Sequence, residues 1–355
     1  RDTSRGLVGS EMCIRDRFRS IHSTLIENRP PRLIRGSWNC KKKPSFRSGT
    51  RYLFYALLHT RPSLAAKAQG AAQQNLKQGL IKEFEIPFPH LEVQRRIATI
   101  LSTYDDLIEN NLRRIKILEE MAQNLYREWF VKFRFPGHEQ VRMVDSPLGK
   151  IPEGWEVVCI KNVADVNAES VRKGCAPKHI VYVDIASVSP GNIDNLQEIP
   201  FTDAPSRARR VARHGDIIWS SVRPNRRSFS LIVDPPKNLI VSTGFAVISS
   251  RQVPFSYLYE TTTTDDFVDY LINHAKGATY PAVNAHDFEN ARILAPSNGL
   301  LQKFDQFVSL TIALRHRLRA KNTVLRQTRD LLLPKLISGE LDVSSLPIAV
   351  PEETA

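Results

Sequence analysis

The sequence has few cysteines and none of the spacing that metal sites use. Its 355 residues contain four cysteines, Cys13, Cys40, Cys159 and Cys175, and no Cys-x-x-Cys pair. Disulfide frameworks and structural zinc sites both depend on closely and regularly spaced cysteines. We therefore expect free thiols, a reducing cytoplasmic location and no metal site.

Long apolar runs and nucleotide-binding motifs are also missing. No run of about 18 apolar residues occurs, so no membrane span is predicted. The phosphate loop Gly-x-x-x-x-Gly-Lys-Ser/Thr is absent, which argues against ATP hydrolysis by this chain. Residues 234–237 (DPPK) lack the aromatic that stacks a flipped base in amino-methyltransferases, so we interpret them as a turn. The acidic pair Asp265-Asp266 is interpreted as a helix N-terminus and not as a nuclease centre.

What the sequence has in excess is positive charge. Its formal net charge is +13, its pI is near 9.7 and its apolar content is 42%. The apolar fraction is typical of a folded protein, and the charge favours a polyanionic partner, nucleic acid before membrane.

Residues 91–135 contain neither proline nor glycine and predict one long helix. Its apolar residues follow steps of three and four, which is a heptad pattern that needs a partner helix. Asn111 interrupts the pattern at a core position and would fix register and partner geometry. A length of roughly 60 Å follows from the rise per residue. One long helix of an all-α bundle is the alternative for this stretch alone. The seam positions are Ile97, Leu101, Tyr104, Ile108, Ile115, Leu118, Ala122, Leu125 and Trp129.

From residue 151 the pattern changes to short β-branched runs separated by turn residues, which predicts a β-rich domain over 151–296. The predicted strands are 155–160, 179–185, 216–219, 229–233 and 239–241. A second long helix follows over 297–340, kinked or broken at Pro334 and stopped by Gly339. Its apolar positions include Phe304, Val308, Leu314, Leu318, Leu325 and Leu332.

The chain repeats itself at a shift of 207 residues. Gly70-Ala71 then meets Gly277-Ala278, and the seam of the first helix meets that of the second. Two helices of matching length can bury their seams on each other. Chance similarity between two coiled coils is the alternative. We predict an α+β fold in which β-rich domains alternate with long helices paired as an antiparallel coiled coil.

The remaining segments complete the predicted organisation. Residues 1–50 are expected to be artefactual or disordered, 51–90 to be the last part of a first β-rich domain, 136–150 to be a linker, and 341–355 to be a C-terminal tail.

Three segments carry a resemblance to the specificity subunit of type I restriction-modification enzymes. Residues 86–97 (IPFPHLEVQRRI) are similar to the family's IPLPPLxEQRRI. Residues 148–156 (LGKIPEGWE) are similar to the LGxIPxGWE that opens a target-recognition domain, and 325–340 (LRQTRDLLLPKLISGE) resemble its closing segment. The resemblance covers about residues 51–345. It departs from the family in one respect, because two full recognition domains are usual and the first is matched only in its last part.

The resemblance implies a non-catalytic, cytoplasmic subunit that recognises half of a bipartite sequence in double-stranded DNA. The paired helices would act as a spacer and would dock two modification (methyltransferase) subunits. No cofactor is implied for this chain. S-adenosylmethionine, ATP and Mg are expected on the modification and restriction subunits, the latter cutting DNA. The alternative is a coiled-coil assembly protein with non-specific nucleic-acid binding.

Candidate DNA-binding residues concentrate between residues 170 and 290. Arginine suits guanine or phosphate and asparagine suits an adenine edge, although any single arginine is expected to meet phosphate before base. For Tyr280 a core position is favoured over base stacking, and Ile217 and Trp219 are predicted as packing residues. The candidates are Lys173, Arg207, Arg209, Arg210, Arg223, Asn225, Arg226, Arg227 and Tyr280, with Arg213 in the same basic stretch.

Overall fold

The computed structural model describes residues 50–66, 84–172 and 177–349. Residues 1–49, the Gly70-Ala71 turn, Lys173, and Cys13, Cys40 and Cys175 lie outside this description. The described residues divide into two compact units, one formed by those up to residue 112 together with those from residue 320 onward, and the other by those between residues 113 and 319. The boundaries between the units lie within both long helices. The sequence predicted domain boundaries at the ends of these helices.

The described residues form the predicted mixture of helices and strands. The helices are α1 (Thr50–Ala66), α2 (Leu91–Tyr126), α3 (Ile160–Val163), α4 (Phe255–Thr262), α5 (Asp265–His274), α6 (Ala285–Glu289) and α7 (Asn298–Ser338). The strands are β1 (Met143–Ser146), β2 (Gly149–Pro152), β3 (Glu156–Cys159), β4 (Ala164–Val166), β5 (His179–Val183), β6 (Val188–Ser189), β7 (Asn192–Ile193), β8 (Gln197–Pro200), β9 (Ala208–Val211), β10 (Ile217–Ser220), β11 (Phe229–Leu231), β12 (Leu239–Ser242), β13 (Phe245–Ser250) and β14 (Arg292–Ala295). No described helix is both long enough and apolar enough to span a bilayer.

In the first unit, the start of α2 and the end of α7 lie antiparallel. Asp105 pairs with Arg329, and six residues further along α2 Asn111 contacts Asn322, seven residues earlier in α7. α1 covers this pair, and its Tyr55 hydroxyl donates to Asp105 at 2.6 Å. The buried core comprises Tyr52, Tyr55, Ala56, Ile97, Ala98, Leu101, Leu333, Leu336, Ile337 and Val343.

Helix α7 continues through Pro334 to Ser338, so of the predicted kink or break at this residue the break is wrong, and the kink stays a prediction. A proline inside a helix removes one backbone hydrogen bond and costs about 3 kcal/mol. Leu333, Leu336 and Ile337 are all buried on either side of it, and their packing outweighs that cost. Gly339 ends the helix with φ of +79°, as predicted.

In the second unit, the end of α2 also lies antiparallel to the start of α7. Arg315 donates to Glu119 at 2.6 Å, and Arg319 donates to the same oxygen at 3.0 Å and to the Gly191 carbonyl at 2.8 Å. Gly191 lies in the turn between β6 and β7, so this network attaches the β-rich domain to the helix pair. Leu314, predicted in the seam, is 47% exposed, because Thr311 and Arg315 occupy the buried positions of the three-and-four pattern.

The α-helical part of the first long helix ends at Tyr126, earlier than predicted, and a π-helical turn covers Arg127–Val131. A π-turn rotates the following side chains relative to the α-helical phase. Phe130 thereby enters an aromatic cluster with Tyr257, whose ring centroid lies at 4.9 Å, and Phe304 at 5.0 Å. This cluster forms the centre of the core between helices and sheet.

In addition to the two-stranded pairs β3–β14 and β6–β7, the β-rich domain contains two four-stranded sheets. One has the antiparallel order β11-β10-β13-β4, and the other has the order β8-β5-β12-β9 with β5 and β12 parallel. Ile217 and Trp219 on β10 are fully buried against the helical side, which confirms them as packing residues. Ile218 belongs to the separate core that also contains residues of β5 and β12. Strand β10 therefore has apolar packing on both faces.

The segment predicted as a linker, residues 136–150, is structured. Residues His138–Gln140 form a 3-10 turn, and β1 pairs with β2 from Met143↔Pro152 to Ser146↔Gly149. Gly149, with φ of +92°, closes the hairpin. The proline and glycine that suggested a linker instead serve a tight turn.

Candidate nucleic-acid interface

The turn between β12 and β13 makes backbone hydrogen bonds to two basic segments, one at Arg207 and one beginning at Ser221. It brings both to one end of the β-rich domain. The Thr243 amide donates to the Arg207 carbonyl at 2.8 Å, and the Ser221 amide donates to the Gly244 carbonyl at 2.8 Å. A β-carbon at Gly244 would lie 2.5 Å from Cδ1 of Ile185, so any larger residue would require the Ile185 side chain to move. The close approach of Ile185 thus depends on this glycine.

Residues 223–227, the arginine turn, follow β10 in an unusual backbone conformation. Arg223 (φ +52°) and Arg227 (φ +53°) are both left-handed, and a 3-10 turn, Pro224–Arg226, lies between them. Pro224 is buried, and the Arg226 and Arg227 amides donate to the carbonyls of Arg223 and Pro224, both at 2.9 Å. Left-handed non-glycine residues are uncommon and cost free energy, and they persist where surrounding contacts hold them.

Residues 276–283, the Tyr280 loop, lie beside the arginine turn. Lys276 and Ala282 exchange two backbone hydrogen bonds of 2.9 Å. The Arg223 amide donates to the Pro281 carbonyl at 2.7 Å, and the Val283 amide donates to Ser221 at 2.9 Å. These bonds bring together two loops that are 50 residues apart in the sequence.

Arg223 and Tyr280 form a stacked pair at this junction. The guanidinium carbon lies 4.5 Å from the ring centroid, within cation–π range, and Arg223 also donates to the Thr279 carbonyl at 3.2 Å. Tyr280 is 60% exposed, so the core position favoured from the sequence is wrong. The ring is instead placed between a cation and solvent.

Arg227 is paired with an acidic helix terminus. Its guanidinium donates to Asp265 at 2.5 Å. Asp265 and Asp266 occupy the first turn of α5, which confirms their interpretation as a helix N-terminus. Asn225 and Arg226, by contrast, are exposed, and neither side chain has a hydrogen bond or ion pair with any described residue. The turn therefore presents one asparagine and one arginine to solvent.

The basic stretch 207–213 is divided by the strand that it forms. Arg207 precedes β9, donates to the Tyr182 hydroxyl at 3.3 Å and lies 4.0 Å from Asp184. Arg213, beyond the other end of the strand, donates to Glu169 at 2.6 Å. Among the described residues, no hydrogen bond or ion pair joins Arg213 to the arginine turn or to the Tyr280 loop. It does not join the candidate interface.

The two arginines within β9 are both partly held by the protein. The Arg209 guanidinium lies 5.2 Å from the Phe201 ring centroid and donates to the Ala208 carbonyl at 2.8 Å. Arg210 Nε is buried without a hydrogen-bond partner among the described residues, and burial lowers the pKa of this guanidinium. Both predictions remain untested by this geometry.

The Tyr280 loop also contributes a cation that the sequence analysis missed. Lys276 is exposed, and its ammonium has no ion pair with a described residue. A lone lysine before a glycine carries no distinctive signal in the sequence. Only the backbone pairing of Lys276 with Ala282 places it next to the arginine turn.

Comparison with known proteins gives a consistent result. The family described as "Type I restriction modification DNA specificity domain" matches residues 36–120. The MjaIX specificity subunit of a type I restriction enzyme from Methanocaldococcus jannaschii is 29% identical over 308 residues, covering 84% of this chain and 70% of that protein. The putative MjaX specificity subunit of the same organism is 34% identical over 258 residues, covering 69% of this chain and 57% of that protein. The chain thus spans less than two thirds of this last relative.

A solved structure has the same fold. The crystal structure of the type I restriction-modification S subunit from M. genitalium superposes with a TM-score of 0.52, covering 81% of this chain and 72% of that one, at 18% identity. A likeness at this identity establishes the fold alone, and the fold is that of the S-subunit class. Together with the sequence relatives, it leads to one conclusion. The family model, the sequence relatives and the fold all match type I restriction-modification specificity subunits.

Proposed function

We propose that this chain recognises DNA sequence for a type I restriction-modification complex and performs no chemistry itself. The observation that carries the proposal is the convergence of cations at one end of the β-rich domain, in the arginine turn, the Tyr280 loop and Arg207. The net charge of +13 supports a polyanionic partner. The predicted residues Arg209, Arg210 and Lys173 are proposed as further DNA contacts.

The helix pair is proposed as a spacer between two half-sites of a bipartite target. Half-sites one helical turn apart lie about 34 Å from each other along the duplex. A helix of 36 residues such as α2 has a length of about 54 Å. The β-rich domain described here would recognise one half-site.

The outer face of α7 is proposed as part of the docking surface for the modification subunits. Phe307, Leu310 and Leu314 are 40%, 70% and 47% exposed, and their spacing of three and four places them on one helix face. Exposed apolar patches mark interaction sites. S-adenosylmethionine would be bound by those subunits, and ATP and Mg by a restriction subunit.

Co-purification and DNA footprinting of the assembled complex test the proposal. We expect the chain with its modification subunits to protect a bipartite site, and the chain alone to bind duplex DNA weakly. Leu310→Asp should weaken co-purification, whereas Ile272→Asp, on an apolar residue of α5 that is 41% exposed, should not. Uniform protection of every sequence would instead favour a coiled-coil assembly protein with non-specific binding.

A further inference from the structure

Within the arginine turn, two polar side chains have partners in the protein, and two have none among the described residues. On the basis of the proposed function, we propose that Asn225 and Arg226 contact base edges, while Arg223 and Arg227 position the turn. The ligand would be two neighbouring purines in the major groove, an adenine for Asn225 and a guanine for Arg226.

Two of the four polar side chains of the arginine turn already make contacts within the protein. Arg223 donates to the Thr279 carbonyl and stacks on Tyr280, and Arg227 donates to Asp265. Using either one for a base contact would break an interaction that the protein already makes. Asn225 and Arg226 have no such contact with the described residues, so their donors and acceptors are available.

The backbone that carries Asn225 and Arg226 is held in place on both sides. Arg223 and Arg227 are left-handed, Pro224 is buried, and the Ser220 amide donates to the Ser228 carbonyl at 2.9 Å across the base of the turn. A phosphate contact tolerates a mobile cation, whereas bidentate contact with a base edge requires a side chain held in one orientation. A turn whose backbone is held in one conformation is therefore suited to bidentate contact with a base edge.

Two carboxylates place negative charge beside the arginine turn. Asp265 and Asp266 lie at the start of α5, and Asp265 is 80% exposed beside Arg227. Carboxylates in this position repel phosphates and reduce the attraction of the turn for DNA of any sequence. Lys276 on the neighbouring loop has no such acidic partner among the described residues, and we assign it a phosphate contact.

Selection from a randomised duplex pool by the assembled complex tests the assignment. The wild-type complex should select a bipartite motif, and Arg226→Ala and Asn225→Ala should each lose the preference at one position within the same half-site. Arg226→Lys keeps the charge but not the bidentate fork, so it should lose the guanine preference and keep the salt dependence of binding. Lys237→Ala is the matched control, because Lys237 lies before β12, whereas Ser221, two residues before the arginine turn, contacts Gly244 after β12.

A chemical probe gives the second readout. Replacing the selected guanine by 7-deazaguanine removes N7 and leaves O6, so it should weaken wild-type binding by less than the roughly 5- to 150-fold of a complete bidentate contact, and it should have no effect on the Arg226→Ala complex. Variants that keep every preference, or that weaken binding equally for all sequences, would overturn the assignment and leave DNA recognition by the chain intact. A wild-type complex that selects no motif would overturn both.

Discussion

Asn111 and Asn322 meet in the buried seam between α2 and α7. Asn111 Nδ2 donates to Asn322 Oδ1 at 2.8 Å, and Asn322 Nδ2 donates to the Ile108 carbonyl at 3.3 Å. The two residues are 4% and 1% exposed. Each long helix thus places one buried asparagine at this level of the seam, and the two asparagines are partners. A register shift of one seam position would leave both amides opposite apolar side chains.

The asparagine pair leads to the first prediction. Asn322→Leu should lower the free energy of unfolding by about 1–3 kcal/mol, because it leaves the Asn111 amide buried without its partner. The double variant Asn111→Leu/Asn322→Leu should recover most of this loss, as paired apolar residues pack without unsatisfied donors. Chemical denaturation of the wild type, the single variants Asn111→Leu and Asn322→Leu, and the double variant provides the double-mutant cycle. Strictly additive effects would contradict the pairing.

The second prediction concerns the buried cation of the same helix pair. The Arg315 side chain is 7% exposed and is neutralised by Glu119. Glu119→Ala should therefore destabilise the protein by about 3–5 kcal/mol, because it leaves a buried charge uncompensated. Glu120→Ala removes the next carboxylate, whose pair with Lys116 is exposed, and should change stability by less than about 0.5 kcal/mol. Equal effects in the two variants would show that the Arg315 pair has no special role.

The third prediction is a pH dependence that originates at Glu260. This carboxyl is 4% exposed, and burial raises its pKa to about 7, with Arg315 opposing and Glu119 reinforcing the rise. The folded state therefore favours the protonated form. Its stabilisation is complete below the unfolded pKa and is lost as pH rises through the folded pKa.

Glu260→Gln isolates this effect. At pH 8.5 the variant should be more stable than the wild type by up to about 3 kcal/mol, the free-energy equivalent of the pKa rise. Below pH 4 the two proteins should have equal stability. Thermal unfolding across this range measures the difference, and a difference independent of pH would exclude Glu260 as the source.

The fourth prediction concerns the arginine turn. Arg226→Ala and Arg227→Ala should each lower the affinity of the assembled complex for its DNA. Arg226→Ala removes an exposed guanidinium, and Arg227→Ala also leaves Asp265 without its partner. Binding titrations and footprints measure both effects. An unchanged footprint together with unchanged affinity would remove this turn from the interface.

The fifth prediction separates phosphate contact from base contact. Lys276→Ala should weaken binding to all duplexes by a similar factor and reduce the salt slope by about 1. The sequence preference should not change. A loss of preference at one base position would show that Lys276 contacts a base instead.

The sequence predicts those features that depend on local periodicity. The heptad spacing places Ile97, Leu101 and Ile108 in the seam, and Asn111 is recognisable because a polar residue occupies an apolar position. Gly339 is a stop signal that acts on its own helix. The α+β class follows from the change of period at residue 151.

The features that the sequence does not predict arise from contacts between distant segments. Arg315 occupies a seam position because Glu119, almost 200 residues away, neutralises it, and Leu314 is therefore misassigned. Lys276 is brought beside the arginine turn by strand-like pairing of two loops. In the sequence, the arginines of residues 207–213 form one basic cluster. In the structure, strand β9 separates Arg207 from Arg213. Each of these errors reflects tertiary pairing, which local propensity does not contain.

The most direct test of the account is the salt dependence of DNA binding by the assembled complex. If the cationic end of the β-rich domain contacts several phosphates, the logarithm of the binding constant should fall linearly with the logarithm of salt concentration, with a slope of about −0.9 per phosphate contacted. We predict a slope of roughly −4 or steeper, reduced in the Lys276→Ala complex. A binding constant that does not change with salt would contradict the account.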